Sequence, residues 1–313
     1  MPEDSMRAVR FHDYGPPEVL VIEEVPRPQP GEGQVLVRVY AAGVNPFDWK
    51  LRRGDMRRFR PLELPAIPGI DLAGTVEATG PGVTAFQPGQ AVFGSGSGAY
   101  AEFALAPADS LAPIPRHLSF DQAAAVPIGA RTAWTALFDA AGLQPGQRLL
   151  VNGAAGGVGH FAVQLGHWKG AHVIGVASTA NLDFVRSLGA DEVIDYITTP
   201  VEHAVHDVDV VFDTVGGAGT ERLLAILRPG GIIVSIAGPI SEEAAQQRGV
   251  RVGRAAPPAS LGALLRQIAE LIEAGTLKPV VGRVFPLEQA AQAHALSETG
   301  HGRGRIVLHV RDA

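Results

Sequence analysis

Along the first third of the chain, short apolar runs alternate with turns rich in proline and glycine. MRAVRF (6–11), VLVIEEV (19–25), QVLVRVYAAGV (34–44), GIDLAGTVEATG (69–80) and AVFG (91–94) read as strands, because β-branched and aliphatic residues bounded by turn formers suit a half-buried pleat. PRPQPGEG (26–33), PGVTAFQPGQ (81–90) and GSGSG (94–98) supply the turns. Many short strands between close turns predict a small, partly closed β-barrel or sandwich.

The pattern changes near Asp121. Residues 121–143 are alanine-rich and read as two helices broken at Pro127-Ile128-Gly129. Strands and helices then alternate: RLLVNG (148–153), a helix over Val158 to Lys169, HVIGVAS (172–178), a helix over Asn181 to Leu188, DEVIDY (191–196), VDVVFDTV (208–215), a helix over Thr220 to Leu227, and GGIIVSIAG (230–238). Apolar strands separated by helices predict a parallel sheet covered on both faces. Residues 261–277 carry apolar positions at helical spacing, and 280–296 and 304–310 return to strand and helix pieces. The fold class is α/β: a doubly wound parallel sheet plus a second, β-rich domain.

Composition narrows the chemistry. A chain of 313 residues accommodates about two domains. A formal net charge of -6 argues against a nucleic-acid or membrane surface as partner. The absence of cysteine excludes disulfides, thiolate metal sites and a cysteine nucleophile. MPEDSMRAVRF has no apolar segment of signal-peptide type, and no run approaches the roughly 18 apolar residues of a membrane span, so the expected location is the cytoplasm. His203 and His206 form an HxxH in a polar connector with no further ligands nearby in sequence, and a solvated loop is the expectation there. Ser95 and Ser97 have no His or Asp pairing that would make a nucleophile.

The stretch NGAAGGVGHFAVQLG (152–166) stands out, since glycine inside regular structure costs about 1 kcal/mol relative to alanine. AAGGVG (154–159) fills the G-x-G-x-x-G frame with Ala154 at the first glycine, directly after a strand and opening a helix. Such a turn lets backbone N–H groups and the positive end of a helix face a pyrophosphate. Gly156 then allows the phosphates to approach and Gly159 allows helix to pack on strand. The second strand ends at Ala177-Ser178-Thr179 without the acid that bonds the ribose in NAD sites. That favours NADPH over NADH. No Lys or Arg lies in the 177–182 turn, leaving Arg186, Ser178, Thr179, Asn181 and Tyr196 as candidate partners of a 2′-phosphate.

Taken together, GVNPFDWKLRRG (43–54), residues 64–94, GAYAEFALAP (98–107), ARTAWTAL (130–137), VNGAAGGVGHFAVQLG (151–166), LGADEVIDY (188–196) and GHGRGRIVLHV (300–310) resemble the medium-chain dehydrogenase/reductase superfamily. The branch they are most similar to is that of the zinc-independent, NADPH-dependent quinone oxidoreductases. The resemblance implies a split GroES-like catalytic domain (1–121 and 280–313) and a Rossmann nucleotide-binding domain (122–279), with cofactor and substrate in the cleft. It implies cofactor contacts from Asn45 near the nicotinamide, Thr132 near the phosphates, and Ala155, Gly156, Gly157 and Val158 in the loop. Ser178, Asn181 and Tyr196 would lie near the adenosine phosphate, and Gly302, Gly304 and Arg305 would close over the cofactor. A homodimer is also expected, through an apolar sheet edge at Gly230–Gly238.

The same resemblance places Asn45 and Ile70 where zinc-dependent relatives carry a cysteine and a histidine ligand. Neither supplies a zinc donor, so no metal is expected. Without a Lewis acid to polarise an ordinary carbonyl, the acceptor must already be electron-poor: a quinone or an α,β-unsaturated carbonyl. Candidate groups around the developing charge are Asn45, through its amide, and Lys50, with Asp48 orienting Lys50 or the ribose. Each has a plainer alternative: a turn residue for Asn45, a solvated basic edge for Lys50 and Arg53, and a helix cap for Asp48. Asp71 reads as structural. Substrate choice falls to Tyr40, Trp49, Met56 and Phe59, or to Arg251 to Ala256. An enoyl reductase acting on a thioester or polyketide intermediate, and a catalytically silent NADPH-binding protein, remain the alternatives.

Overall fold

The longest apolar run becomes the longest strand, and it sets the position of its neighbours. The computed structural model describes residues 5–312. In chain order, β1 (Ser5–Arg10) and β2 (Val21–Pro26) form an antiparallel ribbon. β3 (Gln34–Val44) leads into helix α1 (Pro46–Arg53), followed by β4 (Asp71–Thr79), β5 (Ala91–Ser95), β6 (Phe103–Pro107) and β7 (Leu111–Pro113). The alanine-rich segment is helical in α2 (Phe120–Ala124) and α3 (Pro127–Trp134), and Thr135–Ala140 widens into a π turn. The alternating region comprises β8 (Arg148–Asn152), α4 (Gly159–Trp168), β9 (His172–Ala177), α5 (Leu182–Ser187), β10 (Glu192–Asp195), α6 (Val201–Ala204), β11 (Val208–Asp213), α7 (Thr220–Leu223), β12 (Leu227–Ser235), α8 (Glu242–Gln247) and β13 (Arg251–Gly253). The chain closes with α9 (Leu261–Glu273), β14 (Val281–Pro286), α10 (Ala290–Glu298) and β15 (Arg305–His309).

These elements divide into two compact units. The first comprises Met1–Ile128, Ala259–Gly275 and Pro279–Ala313, and the second comprises Gly129–Pro258 and Thr276–Lys278. In the first unit the main sheet runs β14-β15-β3-β4-β5-β7, with β6 also paired to β3. Its inward positions are aliphatic and fully enclosed, among them Val35, Val37, Val39, Leu72 and Val92. Register decides what meets at one end of this sheet. Gly43 lies opposite Asp71, Asp71 opposite Ser95, and Val44 opposite Ile306. Gly43 must lack a side chain, since a Cβ there would stand 2.6 Å from the Ala124 carbonyl oxygen.

The second unit holds six parallel strands in the order β10-β9-β8-β11-β12-β13. Counted from β8 this is the 3-2-1-4-5-6 order of dinucleotide-binding sheets, whose direction of growth reverses between β8 and β11. The central strands bury Leu149, Leu150, Val151, Val173, Ile174, Val211 and Phe212, as a sheet covered on both faces requires.

Four sequence expectations differ in detail. Leu227 begins β12 and does not end a helix, because α7 stops at Leu223 and a 3-10 turn, Leu224–Ile226, follows. His203 sits in the one-turn helix α6, and both His203 and His206 face outward. Gly230–Gly238 is not the sheet edge, since β13 pairs outside β12, so the edge argument for a homodimer does not apply to that strand. Helix α9, placed by the sequence reading in the 122–279 segment, belongs to the first unit.

The docking of α9 rests on Gly262, where a Cβ would stand 2.7 Å from the carbonyl oxygens of both Asp109 and Leu111. Gly262→Ala therefore sets two effects against each other: about 1 kcal/mol of improved helix propensity and an overpacking cost of about 1–3 kcal/mol. The clash is with backbone, so the net sign is destabilising, read as a lower urea midpoint at unchanged slope. Gly219→Ala, at a glycine with nothing within 4 Å of its added carbon, serves as the neutral control.

Candidate active site

The strand ends that register brings together in the first unit carry a buried polar cluster. Asp71 opens β4, Asn45 follows β3, Ser95 ends β5 and Arg305 opens β15. The Arg305 guanidinium donates to Asn45 Oδ1 at 2.6 Å and to Asp71 Oδ2 at 3.0 Å. Asp71 Oδ2 also accepts from Asn45 Nδ2 at 3.2 Å and from the Ile128 N–H at 3.2 Å. Asn45, Asp71 and Arg305 are all buried. The sequence expectation of Arg305 closing over a cofactor gives way to an interior ion pair, and the Asn45 amide is engaged with Asp71.

Asn45 also caps α1, and its N–H donates to Asp48 Oδ2 at 2.8 Å. Tyr100 donates its hydroxyl to the same oxygen at 3.1 Å, and His294 Nε2 lies 3.1 Å from that hydroxyl. Because Tyr100 gives its proton to Asp48, the imidazole must donate from Nε2. Gly69 makes room for this chain: at φ +95° it has no Cβ, which would otherwise stand 2.3 Å from Tyr100 Cδ1. Asp48 Oδ1 and His294 Nδ1 have no hydrogen-bond partner among the described residues. Burial pushes the Asp48 carboxyl up to about 7; the Asn45 N–H, Tyr100 and Arg305 work against that shift and the Asp71 charge adds to it. Burial, helped by the charge of Arg52, pulls His294 down to about 3. Asp48 thus takes the cap alternative, and Tyr100 and His294 are members of the cluster that the sequence reading did not single out.

Lys50 lies on α1 and is half-buried, with its ammonium 5.5 Å from the centre of the Trp49 ring. It has no ion-pair or hydrogen-bond partner among the described residues. Arg53, by contrast, is bound to Asp55. Gly302 and Gly304 flank the turn before β15; Gly304 has φ +65° and a Cβ there would stand 2.4 Å from the Val280 carbonyl oxygen, whereas Gly302 borders open space.

In the second unit the glycine loop follows β8 at the point where the sheet reverses. Gly153, at φ +80°, turns the chain; a Cβ there would stand 2.4 Å from Thr214 Oγ1. Gly159 lets α4 close on the strand, with Gly153 O only 2.1 Å from the position of its missing Cβ. At Gly156 the only atom near an added carbon is Gly153 O at 3.3 Å. The N–H groups of Gly157 and Val158 have no partner among the described residues. Two free amides, an open glycine and the N-terminus of a ten-residue helix suit a pyrophosphate. The left-handed position falls on Gly153, one residue before the first position of the glycine frame.

Beyond β9, Asn181 donates to Ser178 Oγ at 3.0 Å and Tyr196 is half exposed. Asp195, across the ladder from Ala177, accepts from the Thr179 hydroxyl at 2.5 Å and from the Ile197 N–H at 3.0 Å. An acid therefore stands at the end of the third strand, with an internal donor on each oxygen. Between β8 and β11, Asp213 accepts from Asn152 Nδ2, Thr220 Oγ1 and Ser235 Oγ and from the N–H groups of Val215 and Gly216. It ties three strand ends together beside the loop. The half-buried Thr132 stands on α3.

Two perturbed groups of the first unit, Asp48 and His294, have opposite consequences for stability. Folded Asp48 keeps its proton between its ordinary 3.8 and about 7, where the unfolded chain has lost it. Its contribution to stability therefore declines as pH rises through that window. His294, held near 3 against an ordinary 6.5, contributes stability that declines as pH falls from about 6.5. Asp48→Asn removes the first slope alone. Its stability deficit relative to wild type should shrink by about 1 kcal/mol per pH unit between pH 4 and 7, measured by urea unfolding; a deficit independent of pH would show that Asp48 does not titrate there.

Known proteins match both units. The alcohol dehydrogenase GroES-like domain matches residues 31–116, and the zinc-binding dehydrogenase family matches residues 188–308. The quinone oxidoreductase of Mus musculus is 38% identical, over 97% of this chain and 97% of its own. The 2-methylene-furan-3-one reductase of Solanum lycopersicum is 34% identical, over 97% of this chain and 79% of its own. A mycobacterial protein solved in complex with NADPH has a TM-score of 0.88 at 30% identity, covering 97% of this chain and all of that one. With a GroES-like unit, a parallel dinucleotide-binding sheet and near full-length identity of this order, the chain is an oxidoreductase and belongs to the quinone oxidoreductase family of the medium-chain dehydrogenase/reductases.

Proposed function

We propose that this protein passes hydride from NADPH to a quinone or an activated α,β-unsaturated carbonyl, without help from a metal. The observation that carries this reading is the Asn45–Arg305–Asp71 junction. The position that resemblance assigns to a zinc ligand is an amide oxygen already bonded to a buried guanidinium at 2.6 Å. The second such position is Ile70. A cation-bound amide and an isoleucine make no donor set for zinc. An acceptor here must disperse charge by its own conjugation, which quinones and enones do and saturated ketones do not.

The second unit's residues fit a nicotinamide dinucleotide. Gly157 and Val158 offer their N–H groups to the pyrophosphate, Gly156 leaves room for it, and Thr132 offers a hydroxyl. Bound there, reduced nicotinamide supplies the hydride. Ser178, Asn181 and Tyr196 supply neutral donors for a 2′-phosphate. The Asp195 carboxylate, occupied by Thr179 and Ile197, is spent on the protein and does not take the ribose role that defines an NAD site. The mycobacterial relative solved with NADPH supports the same preference. Of the three groups expected beside the developing charge, Asn45 and Asp48 hold the interior together. Lys50 forms no ion pair or hydrogen bond among the described residues, though its charge reaches Asp55, and we assign it to the oxygen that becomes negative.

Consumption of NADPH with a panel of quinones, enones and 2-enoyl thioesters tests the proposal. Turnover of quinones or enones with NADPH preferred over NADH supports it. Faster turnover of the thioesters would make the protein an enoyl reductase, and tight NADPH binding without any turnover would make it a silent binder. Brisk oxidation of a saturated alcohol would overturn the metal-free argument. Lys50→Ala should lower kcat/KM by about 10²-fold, the effect of deleting one well-aimed donor. Gly156→Val should abolish NADPH binding, seen by nicotinamide fluorescence, while the protein stays folded.

A further inference from the structure

The end of α1 and the turn after it gather positive charge in an acidic chain. Residues 50–60 hold six of the chain's 26 lysines and arginines and only one of its 32 aspartates and glutamates. Arg52 is buried against Glu298 and Arg53 is bound to Asp55. Arg57, Arg58 and Arg60 are exposed, and their guanidinium groups have no ion-pair or hydrogen-bond partner among the described residues. The next acid along the chain is Glu63. Among these arginines stands Phe59, 89% exposed, the highest value of any large apolar side chain among the described residues. Its neighbours do not shield it. Arg60 lies over the Phe47 ring instead, 5.3 Å from its centre, and Phe59 has no ring or cation contact among the described residues.

Backbone and packing fix this display. The Met56 carbonyl accepts from the N–H groups of Phe59 and Arg60 at 2.9 and 2.8 Å, closing a tight turn. Tyr14 anchors both feet of the loop. Its ring packs on Gly54, at φ +85°, where a Cβ would stand 3.2 Å away, and its hydroxyl accepts from the Leu62 N–H at 3.3 Å. Folding gains nothing from a phenyl ring held in water.

The charges ask for an anionic surface and the ring for an apolar layer behind it. A stable protein partner needs about 800 Å² from this side, more than a turn of four exposed residues offers. A nucleic-acid strand needs a groove that tracks its backbone, which a projecting turn lacks. A bilayer with anionic headgroups accepts such a tip without shape complementarity: cations pair at the headgroups and the ring enters below them. The chain's net charge of -6 works against a membrane for the molecule as a whole, so the contact is confined to this tip. We propose that the 56–60 turn is a peripheral docking site for an anionic lipid surface, with Phe59 entering the headgroup boundary and Arg57, Arg58 and Arg60 pairing with lipid phosphates and carboxylates. Docking of this kind stands apart from the reductase reading, because it needs neither cofactor nor acceptor.

Flotation of the full-length protein with vesicles tests the proposal. At low ionic strength, binding to vesicles of equal parts phosphatidylcholine and phosphatidylserine should exceed binding to phosphatidylcholine alone by about 10²-fold, the effect of three cations at the surface. The preference should fade as salt rises. Arg57→Gln, Arg58→Gln and Arg60→Gln combined should abolish it. Phe59→Ser should weaken binding to the anionic vesicles by about tenfold and leave the salt dependence in place. All four side chains are exposed, and an unchanged urea midpoint checks the fold of each variant. No anionic preference in wild type, or its survival in the triple variant, would overturn the proposal. So would Phe59→Ser binding as tightly as wild type, which would reduce the surface to charge alone. Tighter binding of a labelled oligothymidylate than of the vesicles, lost in Phe59→Ser, would also overturn it and give the turn to a single-stranded nucleic acid.

Discussion

The buried pair of Arg305 and Asp71, completed by Asn45, is the constraint on which the first unit's polar interior depends. Two opposite charges taken out of water are costly unless every remaining donor and acceptor is answered, and removing one partner of such a pair costs about 3–5 kcal/mol. Here the answers come from strand register, with Arg305 Nε left without a partner among the described residues. Gly43 without a side chain lets Asp71 lie close across the ladder, Val44 opposite Ile306 sets Arg305 beside Asn45, and the Ile128 N–H adds a further donor to Asp71 Oδ2. The carboxylate and the amide are then occupied. A position that resemblance assigns to a metal ligand has become a joint, and on that ground we propose acceptors that need no Lewis acid.

A parallel division of labour holds in the second unit. Asp213 gathers donors from the ends of β8, β11 and β12, fixing the three strands beside the reversal of the sheet. With the strand ends held, the loop after β8 is free to keep Gly157 and Val158 N–H groups unbonded. The Asp213 carboxylate is satisfied inside, and the open amides stand where we propose that the pyrophosphate binds.

Much of this was legible from local pattern. The strands of the β-rich unit, the alternation of the second unit and the glycine frame all follow from residues close in sequence. What escaped depends on distant pairs. Tyr100 and His294 stand 194 positions apart and meet because Gly69 makes room for the ring; nothing near either residue announces the other. Arg305 reads as a cation at the edge of a glycine-rich tail, and only the pairing of β15 with β3 turns it inward. Gly153 escaped the glycine frame because the atoms that exclude a side chain there belong to Thr214 and Val215, just past the end of β11. Helix α9 carries a clear apolar face, but its allegiance is decided by the carbonyls of Asp109 and Leu111 against Gly262.

The arginines and lysines show how function can be separated from architecture in such a chain. Arg305 and Arg52 are buried and ion-paired, Arg52 with Glu298 and also bonded to the Gly15 carbonyl, while the Nε of each has no hydrogen-bond partner among the described residues. Removing their charges would leave acceptors stranded in the interior. Lys50 and Arg131 are half-buried and have no hydrogen-bond or ion-pair partner among the described residues. A cation in that situation bears part of the desolvation cost of burial without the Coulombic return of an ion pair, and folding alone does not require it. For Lys50, the role we propose at the oxygen that becomes negative would supply the missing counter-charge from outside the chain.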